Sequence, residues 1–200
     1  PSGRRKRCNL SLGNSSTVEQ TKRFPHILKF NCATTCIDLF VDLFVPNDEF
    51  GQIDVTALSN MVDEHVKLIS ITHIPTGGGL VNPAKEVGKI AKAAGIPYIL
   101  DSCQSVGQIP IDVEEIGCDV LCVTGRKYLR GPRGTGLLYV RSSLLNTLEP
   151  PILDQHSAKL ISPTEYLMCP DSKRFENWEQ YCAGKYALGV AIDYVLSFGM

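Results

Sequence analysis

YILDSCQ at residues 98–104 and CVTGRK at residues 122–127 are two apolar runs that each end on polar side chains. The first run ends on the carboxylate of Asp101, and the second ends on a hydroxyl, a glycine and an Arg-Lys pair. Open α/β sheets bind their ligands at the carboxyl ends of strands, so polar groups at two such ends indicate a site. An aspartate after one strand and Lys127 after the next can hold a charged cofactor between them.

The residues around these two runs follow a βαβ pattern. Residues 67–72 form a β-branched run that predicts a buried strand, and Asn82-Pro83 predicts a helix start with Asn82 as the capping side chain. Gly95 predicts the end of that helix, and residues 97–100 predict the next strand. A strand, a loop, a helix and a strand at this spacing predict an α/β fold with a mostly parallel sheet between helices.

The other segments divide into a leader and a set of expected elements. Residues 1–36 are basic and then rich in Ser, Asn and Thr, which predicts a disordered leader. Residues 37–46 fit either a strand or a short helix, and residues 150–173, with their prolines, are expected to be irregular. The remaining expected elements are a helix capped by Asp54, short helices at 112–116 and 142–148, strands at 119–123 and 137–140, and a long helix at 181–198.

The charge and the cysteine content limit the classes of protein. The chain has 200 residues, with 20 Lys and Arg against 21 Asp and Glu, so its net charge does not indicate a nucleic-acid or membrane partner. The RRKR run at 4–7 can act as a nuclear or nucleic-acid address, although a solvated tail is the favoured interpretation. No apolar run approaches the roughly 18–20 residues of a membrane span. Eight cysteines without a Cys-x-x-Cys pair indicate reduced thiols, no metal site, and an intracellular protein of the cytoplasm or an organelle.

Lys127 and Asp101 each allow a plain interpretation beside the chemical one. A lysine among glycines and near other cations can be a Schiff-base nucleophile, but the spacing alone favours a surface lysine in a basic turn. A carboxylate at the end of an apolar strand needs a donor or a cation, which a protonated ring nitrogen, a backbone N–H or a metal can supply. A structural role for Asp101 fits its position equally well.

Four other side chains can surround the same ligand. Gln104 can donate to a phenolate oxygen, and Thr76, in a glycine-rich loop, can approach a flat ligand. Thr124 and Arg126 combine a hydroxyl with a guanidinium and can bind a phosphate, although no P-loop pattern is present. His73 is interpreted as a structural histidine. A phosphate, a ring nitrogen, a phenolic oxygen and an aldehyde would then each have a partner, which describes pyridoxal phosphate.

The sequence resembles the class V aminotransferase family of pyridoxal-phosphate enzymes, in its cysteine desulfurase, isopenicillin N epimerase-like and C–S lyase-like branch. Three motifs carry the resemblance: DSCQSVG at 101–107, TGRKYLRGPRGTG at 124–136 and RFE at 174–176. The matching part begins near residue 47 and ends near residue 199, which is about three quarters of the chain.

The resemblance implies a truncated pyridoxal-phosphate enzyme. Residues 1–36 would be a poorly matched leader, residues 37–200 a partial large domain of the type I pyridoxal-phosphate-dependent transferase fold, and the C-terminal small domain would be absent. The implied reaction acts on a small-molecule amino acid through a lysine aldimine; transamination, cysteine desulfuration and C–S lysis stay open, and a full-length protein would be a homodimer. The alternative is a truncated, non-catalytic remnant that acts as a cofactor-binding or interaction module.

The resemblance also implies roles for six residues. Lys127 would form the aldimine and move the α-proton, and Asp101 would keep the pyridine nitrogen protonated. The other four would contact the cofactor, Gln104 and Thr76 at its phenolic oxygen and Thr124 and Arg126 at its phosphate. An arginine at 126 departs from the histidine that the family commonly carries there, and no metal ligand is expected.

Overall fold

The computed structural model describes residues 26–31, 39–77, 79–176 and 179–199 of the chain. Its centre is a six-stranded sheet with the strand order β2-β1-β3-β4-β5-β6. These strands are β1 (His26–Asn31), β2 (Leu39–Phe44), β3 (Val66–Thr72), β4 (Tyr98–Asp101), β5 (Val120–Thr124) and β6 (Gly136–Val140).

The sheet is mixed, and its parallel part contains the strands of the predicted βαβ pattern. β3, β4 and β5 are parallel neighbours, whereas β1 is antiparallel to both β2 and β3, and β6 is antiparallel to β5. The strands β2, β3, β4 and β5 therefore run in one direction, four of the six, which confirms the predicted mostly parallel sheet. Because parallel strands end at the same edge of a sheet, β3, β4 and β5 bring three strand ends together.

The described helices begin and end close to their predicted positions. Asp54 accepts a hydrogen bond from the Ala57 N–H and caps the first helix, and Gly95 ends the second helix in the left-handed conformation with φ of 66°. Both results confirm the sequence prediction. The helices are α1 (Val55–Met61), α2 (Ala84–Ala94), α3 (Val113–Ile116), α4 (Ser142–Leu145) and α5 (Cys182–Leu196).

Helix α2 covers one face of the parallel strands. Its Val87 and Ala91 are buried in the same core as Tyr98 and Leu100 of β4, all four at 1% exposure or less. The hydroxyl of Tyr98 donates to the Ala84 carbonyl over 3.2 Å, which satisfies the one polar group of that ring and joins the strand to the start of the helix. This packing fixes β4, whose carboxyl end carries Asp101.

Asn82 does not cap α2, contrary to the prediction. Its side chain is buried, donates to the Thr72 carbonyl over 2.7 Å and accepts from the Ile53 N–H at 3.0 Å. Pro83 is the residue that precedes the helix, and no side-chain cap is formed there. The amide satisfies a backbone donor and a backbone acceptor that would otherwise be buried unpaired, and this outweighs one N-terminal cap.

Two predicted irregular segments contain strands. β1 lies inside the predicted leader, so the described part of that segment has regular structure that the prediction lacked, and the ambiguous segment 37–46 forms the strand β2. Residues 150–173 contain an antiparallel hairpin, β7 (Ala158–Ser162) and β8 (Glu165–Met168). Its prolines were interpreted as breakers of regular structure, but Pro163 occupies the two-residue connection and leaves both strands intact.

Arg174, from the RFE motif, connects the segments that precede and follow this hairpin. The side chain is buried and donates to three carbonyls: Leu145 at 2.7 Å, Cys169 at 2.8 Å and Leu148 at 3.1 Å. A planar guanidinium can satisfy several carbonyls at once, so Arg174 joins the end of α4 to the end of β8. The arginine of this motif therefore has a structural position.

Within the part of the chain that the structure describes, no helix combines the length and the apolar character needed to cross a membrane.

Candidate functional site

The carboxyl ends of β3, β4 and β5 form the candidate site. In the pairing of these strands Thr72 lies opposite Asp101, and Asp101 lies opposite Cys122, two residues before Thr124. The loop after β3 contains Thr76, the loop after β4 contains Gln104, and the loop after β5 contains Arg126 and Lys127. The six predicted residues therefore come from three adjacent strand ends.

The thiol of Cys103 lies in the loop after β4, where groups from two strand ends influence its pKa. Burial raises the pKa of Cys103, and a hydrogen bond to the Asp101 carboxylate raises it further. The backbone of Thr124 and the positive charge of Lys127 act in the opposite direction on the same pKa. Cys103 is thus influenced by the Asp101 carboxylate, by the backbone of Thr124 and by the charge of Lys127, which come from two adjacent strand ends.

A local turn orients the carboxylate of Asp101. Its Oδ1 accepts a hydrogen bond from the Cys103 N–H at 3.0 Å. An aspartate that accepts from the backbone two residues later forms an Asx turn, so the loop itself directs the carboxylate. Asp101 is half-buried, and the turn leads the chain away from the strand at the point where the site begins.

A side-chain hydrogen bond connects two of the three loops. Gln104 Nε2 donates to Thr76 Oγ1 over 2.9 Å, although the two residues are 28 positions apart. Both were predicted to lie at the same part of the ligand, and the structure brings them into direct contact. Arg126 is exposed beside Lys127, so it lies at the rim of this group of side chains.

Backbone hydrogen bonds hold the loop that carries Lys127. The Lys127 carbonyl accepts from the Arg130 N–H at 2.9 Å, and the Gly125 carbonyl accepts from the Gly131 N–H at 2.8 Å. Arg130 is left-handed, with φ of 58°, a conformation that costs energy for a residue with a side chain. Lys127 therefore lies in a tight, partly strained turn, as the plain interpretation also expects, but its side chain is half-buried and not fully at the surface.

His73 lies directly behind the site. The backbone N–H of His73 donates to the Asp101 carbonyl at 2.9 Å, and the backbone carbonyl of His73 accepts from the Asn82 N–H at 2.8 Å. The ring is buried, burial lowers the pKa of His73, and its Nδ1 has no hydrogen-bond partner among the residues described. These contacts support the structural interpretation of this histidine.

The sequence prediction missed two residues that build the site. The sequence analysis assigns no role to Cys103, yet its N–H and its thiol both interact with the carboxylate of Asp101. Its position two residues after an aspartate was the available signal, because Asx turns have that spacing. Asn82 was assigned to the wrong role, and no local pattern indicates that its amide fastens the end of β3.

Comparisons with known proteins identify the chain's relatives. The family model for class-V aminotransferases matches residues 35–200. A cysteine desulfurase from Yersinia pestis (strain Pestoides F) is 34% identical over 193 residues, which cover 96% of this chain and 47% of the relative. The chain therefore spans about half the length of the curated relatives it matches.

Solved structures agree with this assignment. A cysteine desulfurase from Thermococcus onnurineus NA1 has a TM-score of 0.72 and 29% identity, over 78% of this chain and 39% of that one. The cysteine desulfurase CsdA from Escherichia coli has the same TM-score at 21% identity, over 77% and 38% of the two chains. The fold is thus the α/β fold of type I pyridoxal-phosphate enzymes, of which this chain contains a part. Together with the family model, these similarities show that the chain belongs to the class-V aminotransferase family.

Proposed function

We propose that this chain forms the cofactor-binding part of a pyridoxal-phosphate-dependent enzyme that acts on an amino acid. The observation that carries the proposal is that Asp101, Thr124 and Lys127 lie at or just after the carboxyl ends of adjacent parallel strands, beside the hydrogen-bonded pair Gln104 and Thr76. A carboxylate and an amine at neighbouring strand ends are the two groups that a pyridine aldehyde requires.

The side chains present match the chemistry of pyridoxal phosphate. This cofactor presents an acidic phosphate, a basic ring nitrogen, a phenolic oxygen and an aldehyde, and the site offers a guanidinium, two hydroxyls, a carboxylate, an amide and an amine. When bound, the cofactor withdraws electrons from bonds at the α-carbon of an amino acid, which weakens them. The residues supply the binding, the orientation and the proton transfers.

Asp101 and Lys127 have the two chemical roles. The Asp101 carboxylate, oriented by the Cys103 N–H, would keep a proton on the ring nitrogen. The Lys127 amine would bind the aldehyde carbon and move the α-proton of the substrate, because an amine in a tight turn can be directed at one atom. These two residues come from adjacent strands, so the sheet fixes the distance between them.

The other four residues would hold the polar substituents of the ring. Thr76 Oγ1 already accepts from Gln104 Nε2, so its own hydrogen can be donated to a phenolic oxygen. Thr124 and Arg126 would bind the phosphate, the hydroxyl at the strand end and the guanidinium at the rim. A bound cofactor would thereby contact the loops after all three parallel strands.

Of the three candidate reactions, we propose cysteine desulfuration ahead of transamination and C–S lysis. The support is the name of the 34% identical relative, a cysteine desulfurase, together with its coverage of nearly the whole chain. We also propose that the full-length protein is a homodimer, as the family resemblance implies. We further propose an intracellular location, which is consistent with free thiols at the five described cysteines, Cys103, Cys118, Cys122, Cys169 and Cys182.

Chemical trapping tests the cofactor assignment. Purified protein is mixed with pyridoxal phosphate, reduced with borohydride and digested, and the pyridoxyl group is located by mass spectrometry. We expect it on Lys127 in the wild type and in the control Lys92→Ala, whose exposed lysine lies at the far end of α2. The variant Lys127→Ala should carry none, and a wild type labelled only at other lysines would refute the assignment.

A further inference from the structure

The loops that carry Asp101 and Lys127 touch each other through their backbones at Gly107. A Cβ atom placed on Gly107 would lie 2.7 Å from the carbonyl carbon of Tyr128, 2.8 Å from its oxygen and 2.9 Å from the nitrogen of Leu129. Real Cβ contacts are essentially never closer than 3.0 Å. Tyr128 follows Lys127 directly, so this contact involves the backbone one residue after the lysine.

The Asp101 side of the contact is rigid. The Ser102 N–H donates to the Cys122 carbonyl at 2.9 Å, and the Val106 N–H donates to the Ser102 carbonyl at 3.1 Å. Ser102 and Ser105 are both completely buried. The loop therefore cannot retreat from Tyr128 without breaking buried backbone hydrogen bonds.

The Lys127 side is equally constrained. Leu129 is 5% exposed and belongs to the hydrophobic core, and the Arg130 N–H closes the turn on the Lys127 carbonyl. A displacement at Tyr128 would thus be passed on to the turn, since the buried Leu129 side chain anchors its other end. Ordinary contact begins at 3.4 Å, so a side chain at 107 requires a movement of about 0.7 Å from the present 2.7 Å.

We propose that Gly107 is a positioning residue that sets the spacing between the Asp101 carboxylate and the Lys127 amine. This inference rests on the proposed function, because the spacing matters only if both groups bind one ligand. The absence of a side chain lets the two loops meet, and the meeting point lies one residue from the amine. A misplacement on the order of 1 Å can lower a reaction rate about a hundredfold, which makes such a contact consequential.

Gly134 provides a matched control. It has φ of 79° against 89° for Gly107, so alanine meets the same left-handed strain at both positions. A Cβ atom on Gly134 would have no neighbour within 4 Å. The difference between Gly107→Ala and Gly134→Ala therefore isolates the contact with Tyr128 from the cost of the backbone conformation.

Hydrogen exchange and cofactor titration test the proposal together. In cofactor-free protein we expect the Arg130 amide to exchange roughly tenfold faster in Gly107→Ala than in Gly134→Ala. With pyridoxal phosphate, the concentration needed for half-maximal trapping on Lys127 should rise roughly tenfold or more in Gly107→Ala only. The pH at which the cofactor's absorption band changes should also move in that variant alone. Equal behaviour of the two variants would overturn the proposal.

Two further outcomes separate this inference from the proposed function. If the wild type is never trapped on Lys127, the proposed function fails, and the exchange comparison alone decides whether Gly107 couples the loops. If Gly107→Ala does not fold, native-state exchange of the wild type in denaturant replaces it. The Val106 and Arg130 amides should then open with the same free energy, and separate opening of the two loops would refute the coupling.

Discussion

The two edges of the parallel strands use charge in different ways. At the amino-terminal edge, Arg141 contacts Glu114 at 2.8 Å and Asp119 at 3.2 Å, and it donates to the Cys118 carbonyl at 3.0 Å. Asp119 also accepts from the Tyr98 N–H at 3.0 Å. These three charged groups pair with one another within the fold and form an ion-pair network at this edge.

The carboxyl-terminal edge brings together several different kinds of polar side chain. Asp101 is oriented by a backbone N–H, Gln104 donates to Thr76, and Lys127 lies in a strained turn. A carboxylate, an amide, an amine and hydroxyls together suit a ligand with several kinds of polar group. One edge of the same strands therefore contains ion pairs within the fold, and the other carries the side chains that we propose bind the cofactor. Substitutions that separate stability from cofactor binding can test this division.

Replacement of Lys127 should have the largest effect, and only on binding. Lys127→Ala removes the amine that would hold the aldehyde, so trapping of pyridoxal phosphate at this position should be lost completely. The side chain is half-buried and outside the core, so the free energy of unfolding should change by no more than about 0.5 kcal/mol. Urea unfolding beside borohydride trapping measures both, and a large loss of stability would contradict the division of the two edges.

Replacement of Arg141 should lower the stability of the fold and leave cofactor trapping unchanged. Arg141→Ala removes the hydrogen bond to the Cys118 carbonyl and leaves Asp119 without its cation, which should lower the free energy of unfolding by about 1–2 kcal/mol. Trapping on Lys127 should stay at the wild-type level. Arg141→Lys keeps a cation and should recover part of the loss in urea unfolding. A parallel fall in trapping would show that the two edges are not independent.

Asp101 should control the reactivity of the neighbouring thiol. The carboxylate raises the pKa of Cys103, after burial, so Asp101→Asn should lower that pKa. At a fixed pH below the pKa of the thiol, a lower pKa means more thiolate, and alkylation of Cys103 should become about threefold faster or more. Peptide mass spectrometry after timed alkylation measures this rate. Asp119→Asn, at the opposite edge, should leave it unchanged, and an equal response to both variants would contradict the proximity of Asp101 and Cys103.

The features that could be predicted from sequence are those that depend on a few neighbouring residues. β3, β4 and β5 were recognised because each is a short apolar run, and Asp101 and Lys127 because a polar group follows such a run directly. Gln104 and Thr76 were placed near one ligand atom by resemblance, and the structure brings them into contact. Asp54 and Gly95 were recognised as helix ends because capping depends on residues within one turn.

The features that escaped prediction depend on contacts between distant segments. Asn82 has a capping residue's signature, but the amide fastens Ile53 and Thr72, which the sequence does not place beside it. Gly107 appears as one more loop glycine until Tyr128, 21 positions later, is seen against it. The hairpin β7–β8 was hidden because a proline in a connection and a proline within a strand look the same in sequence.

The smallest expected effect concerns His73, which lies between the site and the core. Burial lowers the pKa of this imidazole in the folded protein, so the unfolded chain takes up the proton first as the pH falls. The stabilising contribution of the neutral ring is therefore complete above the ordinary pKa of histidine, 6.5, and is lost as the pH falls from there toward the lower pKa of the folded protein. His73→Gln cannot titrate, so its free energy of unfolding should fall less steeply over that range in urea titrations. Identical slopes for His73→Gln and the wild type would mean that the buried ring does not resist protonation, and the interpretation of His73 as a neutral structural support for Asp101 would be wrong.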